Sequence, residues 1–168
     1  AMSALEHILS GTMSSRVYGQ ARDKGLLYSC TVGCSSSKYN TEWYLDGRAN
    51  AEQLPAFFDL AVRELDKVKR GDITEQELAD AKSYALGRYQ MGAQTVAQIS
   101  NFYTRRYFSD NFVKDYAGVP ATILAITADN IIQVAREFLD SDVRVLAGVS
   151  SGDRDLLLRL QEKLAGLD

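Results

Sequence analysis

Residues 2–34, MSALEHILSGTMSSRVYGQARDKGLLYSCTVGC, decide how the rest of the chain is read. Leu5, Ile8 and Leu9 fall on one side of a helix over residues 3–9. Ser10-Gly11-Thr12 stop or kink that helix. Ser14-Ser15 stand where a cap would open a second helical stretch to about Lys24, and Gly25 is placed to end it. From Tyr28 the period changes to two. Tyr28, Cys30, Val32 and Cys34 share one face, while Ser29, Thr31 and Gly33 share the other, which describes a strand to about Ser35.

The following residues extend this pattern. Ser35 to Lys38, with Asn40, read as a turn, and Thr41 to Gly47 alternates again. Trp43 and Leu45 lie opposite Glu42, Tyr44 and Asp46, so the two runs predict an antiparallel hairpin. Residues 51–70 are amphipathic at helical spacing, with Leu54, Phe57, Phe58, Ala61, Val62, Leu65 and Val68 in one stripe. Gly71 stops that helix. Thr74-x-x-Glu77 is a capping box for the next one, and a break is expected near Met91-Gly92. A short helix is expected from Asn111 to Tyr116, ended by Gly118 and Pro120. Thr127 caps a helix that turns Ile131, Val134, Ala135 and Phe138 inward. Val143 to Val149 reads as a further strand, and Arg154 to Leu164 as a final helix. The fold class is α+β: a small, mostly antiparallel sheet packed against several helices.

Composition narrows the function. The 168 residues suit one domain or a large piece of one. The net charge of −3 lacks the basic footprint of a nucleic-acid binder. Arg105-Arg106 among Tyr103, Tyr107 and Phe108 mixes charge and rings, but that mixture is also what core aromatics beside solvated arginines give. No apolar run approaches a membrane span, and the first residues carry no basic segment of a secretory signal, so a cytoplasmic location is expected. A single histidine, His7, and two cysteines, Cys30 and Cys34, are too few for the common two-histidine zinc motifs, and any Ser-His-Asp or Cys-His arrangement would have to use His7, which argues against a self-contained hydrolase of the common kinds. His7 itself reads as an ordinary helix histidine. Four residues of strand rise separate the cysteines by about 13 Å, too far for a disulfide, so both are read as reduced thiols. On this chain no metal or other cofactor is expected.

Met13-Ser14-Ser15-Arg16-Val17, then Arg22-Asp23-Lys24, then Gly25-Leu26-Leu27-Tyr28-Ser29 resemble a segment of the insulinase/pitrilysin-type zinc peptidases. That family includes the mitochondrial processing peptidases. Further along, GDITEQELADAK, and TADNIIQVAREFL followed by VRVLAGV, resemble its later helices and closing strand. The resemblance implies paired α+β domains enclosing a chamber. The N-terminal domain carries zinc on His-x-x-Glu-His, and the C-terminal domain is zinc-free. Residues 1–168 then read as a single truncated C-terminal-type domain, half of a processing-peptidase-like fold unit.

The resemblance also implies roles. Arg22 and Tyr28 match the family's substrate-contacting arginine and tyrosine, although the family segment has one residue more between them. Without the resemblance, Arg22 reads as a favourable charge at a helix C-terminus and Tyr28 as a sheet residue. The implied function is the chamber wall and substrate contact of a zinc-dependent metalloendopeptidase, inactive alone. The alternative is a non-catalytic peptide-binding or scaffold subunit. The implied partners are a peptide substrate and a zinc-bearing domain or subunit. Self-association through an open strand edge is expected as well.

Overall fold

In the computed structural model β1 (Ser29–Ser36) and β2 (Thr41–Arg48) pair antiparallel, with Val32 opposite Leu45 and Cys34 opposite Trp43. The structure describes residues 1–113, 115–141, 143–150 and 154–164. One face of the hairpin turns Cys30 and Val32 into the core, with Trp43 and Leu45 half-buried beside them. On the other face Tyr44 lies over Gly33. A Cβ on Gly33 would stand 2.5 Å from the tyrosine hydroxyl, so the glycine makes room for the ring.

α1 (Met2–Ser10) packs against β1, against α4 (Glu75–Met91) and against α7 (Ala128–Leu139). Leu5, Ile8 and Leu9 are its buried stripe, as the spacing predicts. Its polar residues also serve the sheet. Ser10 Oγ accepts the Val32 backbone N–H at 2.8 Å, and the Cys34 backbone N–H stands near enough to the Glu6 carboxyl to offset part of the burial that raises its pKa. Both N–H groups point away from β2. Helix side chains therefore close that edge of the hairpin, a known way of blunting an edge strand.

α2 (Tyr18–Asp23) begins later than Ser14-Ser15. Ser15 instead donates its hydroxyl to the Thr12 carbonyl at 2.7 Å and so stabilises the turn before the helix. α3 (Leu54–Lys69) opens with Pro55 in its first turn and buries Phe57, Leu60, Leu65 and Val68. Each such side chain contributes about 1.5–3 kcal/mol on burial. α4 has the expected capping box, Thr74 with Glu77. It ends at Gly92, and Thr95 caps α5 (Val96–Asp110), so the break near Met91-Gly92 is real. In α7 Thr127 caps, and Ile131 and Ala135 are fully buried. α8 (Arg154–Leu164) ends the described chain.

Two expectations need correction. In place of a helix over 111–116 there is a 3-10 turn at Tyr116–Gly118 leading into α6 (Val119–Leu124). Pro120 lies in the first turn of α6, where its missing N–H has no partner to lose, so it starts a helix instead of stopping one. Residues 143–149 do not join the sheet, which has two strands among the described residues. Val143, Val145 and Val149 are 83%, 86% and 107% exposed. An alternating pattern makes a strand possible, but ladder hydrogen bonds require a partner in register.

Candidate functional site

The turn between α2 and β1 positions both sequence-predicted residues. Gly25 has φ +64°, the left-handed region that glycine enters without strain. Its N–H donates to the Arg22 carbonyl at 2.9 Å, and the Leu26 N–H donates to the Ala21 carbonyl at 2.8 Å. This is the crossed pair of a Schellman stop. The stop leaves Arg22 in the last turn of α2 and swings the chain through buried Leu27 into Tyr28. The Tyr28 N–H donates to the Arg48 carbonyl at 2.7 Å, which extends the hairpin by one residue.

Tyr28 is 73% exposed, and its hydroxyl donates to Asn50 Oδ1 at 3.3 Å. Its ring borders a groove of about 530 Å³ between β2, residues 146–150 and α8. Phe57, Leu156 and Leu160 form part of the apolar floor, with Asp46 and Arg48 at the polar side. The Arg22 side chain is exposed, makes no hydrogen bond or ion pair among the described residues, and does not line this groove. The structure therefore places Tyr28 at a cleft and leaves Arg22 as a solvated cation one turn away along the chain. No contact joins the two side chains. Both are donors, able to hold a carbonyl or carboxylate.

A larger cleft, about 800 Å³, lies between α1, β1 and α4 to α6 and escapes the sequence reading. His7 and Tyr84 stack there with ring centroids 4.4 Å apart. Burial pulls the His7 pKa below its ordinary value, with Asp80 opposing. His7 Nδ1 is enclosed without a hydrogen-bond partner, against Gly11, where a Cβ would come within 2.6 Å of it. Tyr89 stacks on Tyr116, also at 4.4 Å. No sequence motif announces this cleft, because its residues come from distant elements.

Among the described residues no group of three histidines, cysteines or carboxylates could hold a metal. Burial drives the Cys30 thiol up to about 12, with Asp46 adding to the effect, so it stays protonated. Both cysteines are free, and Cys34 is half-buried beside Ser36. No single helix among the described residues is long and apolar enough to cross a membrane. The aromatic helix α5 buries none of its described side chains: Tyr107 and Phe108 are 61% and 72% exposed.

The profile of the family described as "Peptidase M16 inactive domain" matches residues 1–84. No curated protein matches the chain. Among solved structures, an M16 inactive domain from Pseudomonas fluorescens is similar with a TM-score of 0.72 at 18% identity, over 82% of this chain and 33% of that one. A protease from Helicobacter pylori gives 0.64 at 22% identity, over 82% and 33%. A chain of complex III2 from Candida albicans gives 0.69 at 13% identity, over 81% and 35%. The chain thus spans about a third of the length of these relatives. At such identities the likeness shows the fold.

Proposed function

The chain belongs to the peptidase M16 inactive-domain family, and from that premise we propose that it is the zinc-free, C-terminal-type part of a zinc-dependent metalloendopeptidase. Residues 1–168 form one such domain unit. A zinc-bearing domain or subunit brings the metal and the catalytic acid–base group. This chain supplies chamber wall and substrate contact, and is inactive alone. The observation that carries the reading is the family match over residues 1–84, because that span includes Arg22 and Tyr28. Their exposure suits them to donate to peptide carbonyls. The Tyr28 hydroxyl would exchange Asn50 for substrate, and the Arg22 guanidinium would reach in from the end of α2.

The test is made in the assembled peptidase. Arg22→Ala and Tyr28→Phe should each lower kcat/KM with zinc content unchanged. A donor aimed at developing charge contributes about 10²–10³ in rate, which sets the upper range of the effect. Unchanged turnover in both variants would leave these residues with structural roles only.

A second reading is a non-catalytic peptide-binding or scaffold subunit. The uncovered aromatic side of α5 is the surface that such a subunit would offer its partner. The presence or absence of His-x-x-Glu-His in the partner domain separates the two. The chain is also proposed to self-associate, and its two free thiols support a reducing, cytoplasmic setting.

A further inference from the structure

The cleft of about 800 Å³ between α1, β1 and α4 to α6 contains neither Arg22 nor Tyr28, and the proposed peptide contact makes no use of it. Its walls are braced across the fold. Lys82 Nζ on α4 donates to the Leu124 carbonyl of α6 at 2.8 Å, and the Tyr116 hydroxyl donates to the Tyr89 carbonyl at 2.6 Å. Besides the stacked pairs His7–Tyr84 and Tyr89–Tyr116, Phe102 stands edge-on to Tyr116 with centroids 4.8 Å apart. Tyr84 stays 43% exposed although His7 stacks on it, so aromatic surface is open to an occupant. A preformed, mostly apolar space of this size with a few polar groups is the usual form of a small-molecule site.

Charge in the cleft runs against that of the chain. The net charge is −3, yet among the described side chains that line the cleft Lys82, Arg88 and Arg106 are cationic and Glu6 alone is anionic. Arg88 and Arg106 enter from different helices, and each guanidinium is held over a ring. Arg88 lies 6.0 Å from the Tyr84 centroid and Arg106 5.8 Å from that of Phe102. A guanidinium held in this way has less freedom left to lose on binding, and its planar fork of donors matches a carboxylate. The Arg88 side chain makes no hydrogen bond or ion pair among the described residues, although its charge helps to hold down the Glu6 pKa. With Glu6 in the same space, a single negative charge fits better than a dianion.

We propose that this cleft binds an aromatic monocarboxylate, with the carboxylate on Arg88, the Arg106 charge adding to the attraction, and the apolar body against Tyr84, Tyr89 and Phe102. The rings supply most of the contact area, and the cations decide which rings are kept. An uncharged analogue of the same shape loses the charge-assisted hydrogen bonds, and an aromatic amine meets cations where it would need carboxylates.

Naphthoate and its uncharged amide are the probes. His7, the single histidine of the 168-residue chain, stacks on Tyr84 in the cleft, so its ring protons report occupancy by NMR. Naphthoate should shift them saturably. Naphthamide should bind about tenfold more weakly, and Arg88→Gln should raise the Kd for naphthoate by about the same factor while leaving that for the amide unchanged. Arg105→Gln, at an exposed position outside the cleft, should change neither. Circular dichroism spectra that stay unchanged separate lost binding from lost folding, and the comparison of acid with amide needs no variant at all. Absence of a saturable shift at His7 up to the solubility limit of naphthoate would overturn the site. Equal affinity for acid and amide would overturn the choice of an anion. Losses as large in Arg105→Gln as in Arg88→Gln would reduce the effect to general charge attraction and overturn the assignment to this cleft.

Discussion

Arg16 binds Glu77 through two hydrogen bonds, at 2.5 and 2.6 Å, and lies 3.6 Å from Asp72. Its side chain is 11% exposed, so the pair is sheltered but not sealed. It ties the turn before α2 to the first turn of α4, where Glu77 also accepts the Thr74 N–H. Hydrogen bonds to charged groups contribute about 1.5–3 kcal/mol, so Arg16→Ala should lower unfolding free energy by about that amount in urea titrations. Burial alone would raise the Glu77 pKa, but its bonds to Arg16 and Thr74 outweigh burial and hold it below 4.5. The unfolded chain then binds the proton more readily. This part of the stability is full above the ordinary carboxylate value and is lost as pH falls through the folded one. Arg16→Ala should therefore flatten the acid side of a plot of Tm against pH. His7 has the same sign for a different reason. Its burial favours the neutral ring, so stability falls as pH drops from 6.5 toward the lower folded value. As the chain's single histidine, its NMR titration midpoint should lie below 6.5 and move toward that value in Tyr84→Ala. The sequence displays Met13 to Arg16 as a motif but hides this role, because Glu77 lies 61 residues away. Arg22 and Tyr28 are legible for the opposite reason: a short turn with Gly25 presents both, and local pattern suffices.

Elements with their own stop and start signals were readable in the sequence. Thr74 and Thr127 each stand before a helix whose third residue returns the hydrogen bond, and both helices begin where the capping box says. Elements that depend on a distant partner were not. Residues 143–149 alternate as well as β2 does, yet pairing is decided by what lies beside them, which no local pattern contains. The same limit hides the closing of the β1 edge, since Ser10 and Glu6 look like ordinary helix residues. A cap's worth also depends on where its helix sits. Thr74→Ala removes a cap from a helix tied to the body through Arg16 and should cost about 0.5–2 kcal/mol of global stability. Thr95→Ala removes the same bond from α5, which buries no side chain among the described residues. It should loosen α5 locally and leave the global transition nearly unmoved. Hydrogen exchange resolved by segment, beside urea titration of both variants, tests the contrast. Equal global losses would mean that α5 is bound to the core more firmly than its exposure indicates.

The molecule as a whole is unevenly consolidated. Leu5, Leu9, Val17, Val68 and Ile131 are among its most enclosed side chains, and they join α1, α3, α7 and the turn before α2 behind the core face of the hairpin. α5 contributes no buried residue to this cluster, and Phe108, Phe112 and Val113 stand 72%, 63% and 57% exposed at its end and just beyond. Side chains already in water lose little on truncation, whereas removing buried methyl groups loses transfer energy and leaves a cavity. Ile131→Ala should thus cost about 2–5 kcal/mol. Phe108→Ala should stay within about 0.5 kcal/mol in the isolated chain, as for most surface changes. The order reverses for assembly. If a partner covers the aromatic side of α5, Phe108→Ala removes an anchor of the kind that dominates interfaces, worth roughly 2 kcal/mol or more, a Kd about thirtyfold weaker. A conservative core change such as Ile131→Val would spare that contact. Paired measurements settle the assignment: urea stability of each isolated variant, and titration calorimetry of each with the zinc-bearing partner. Loss of binding in Phe108→Ala with stability intact would place the partner on α5. Loss of stability with binding intact would mean that α5 packs against its own chain, and the surface proposed for a partner would belong to the fold instead.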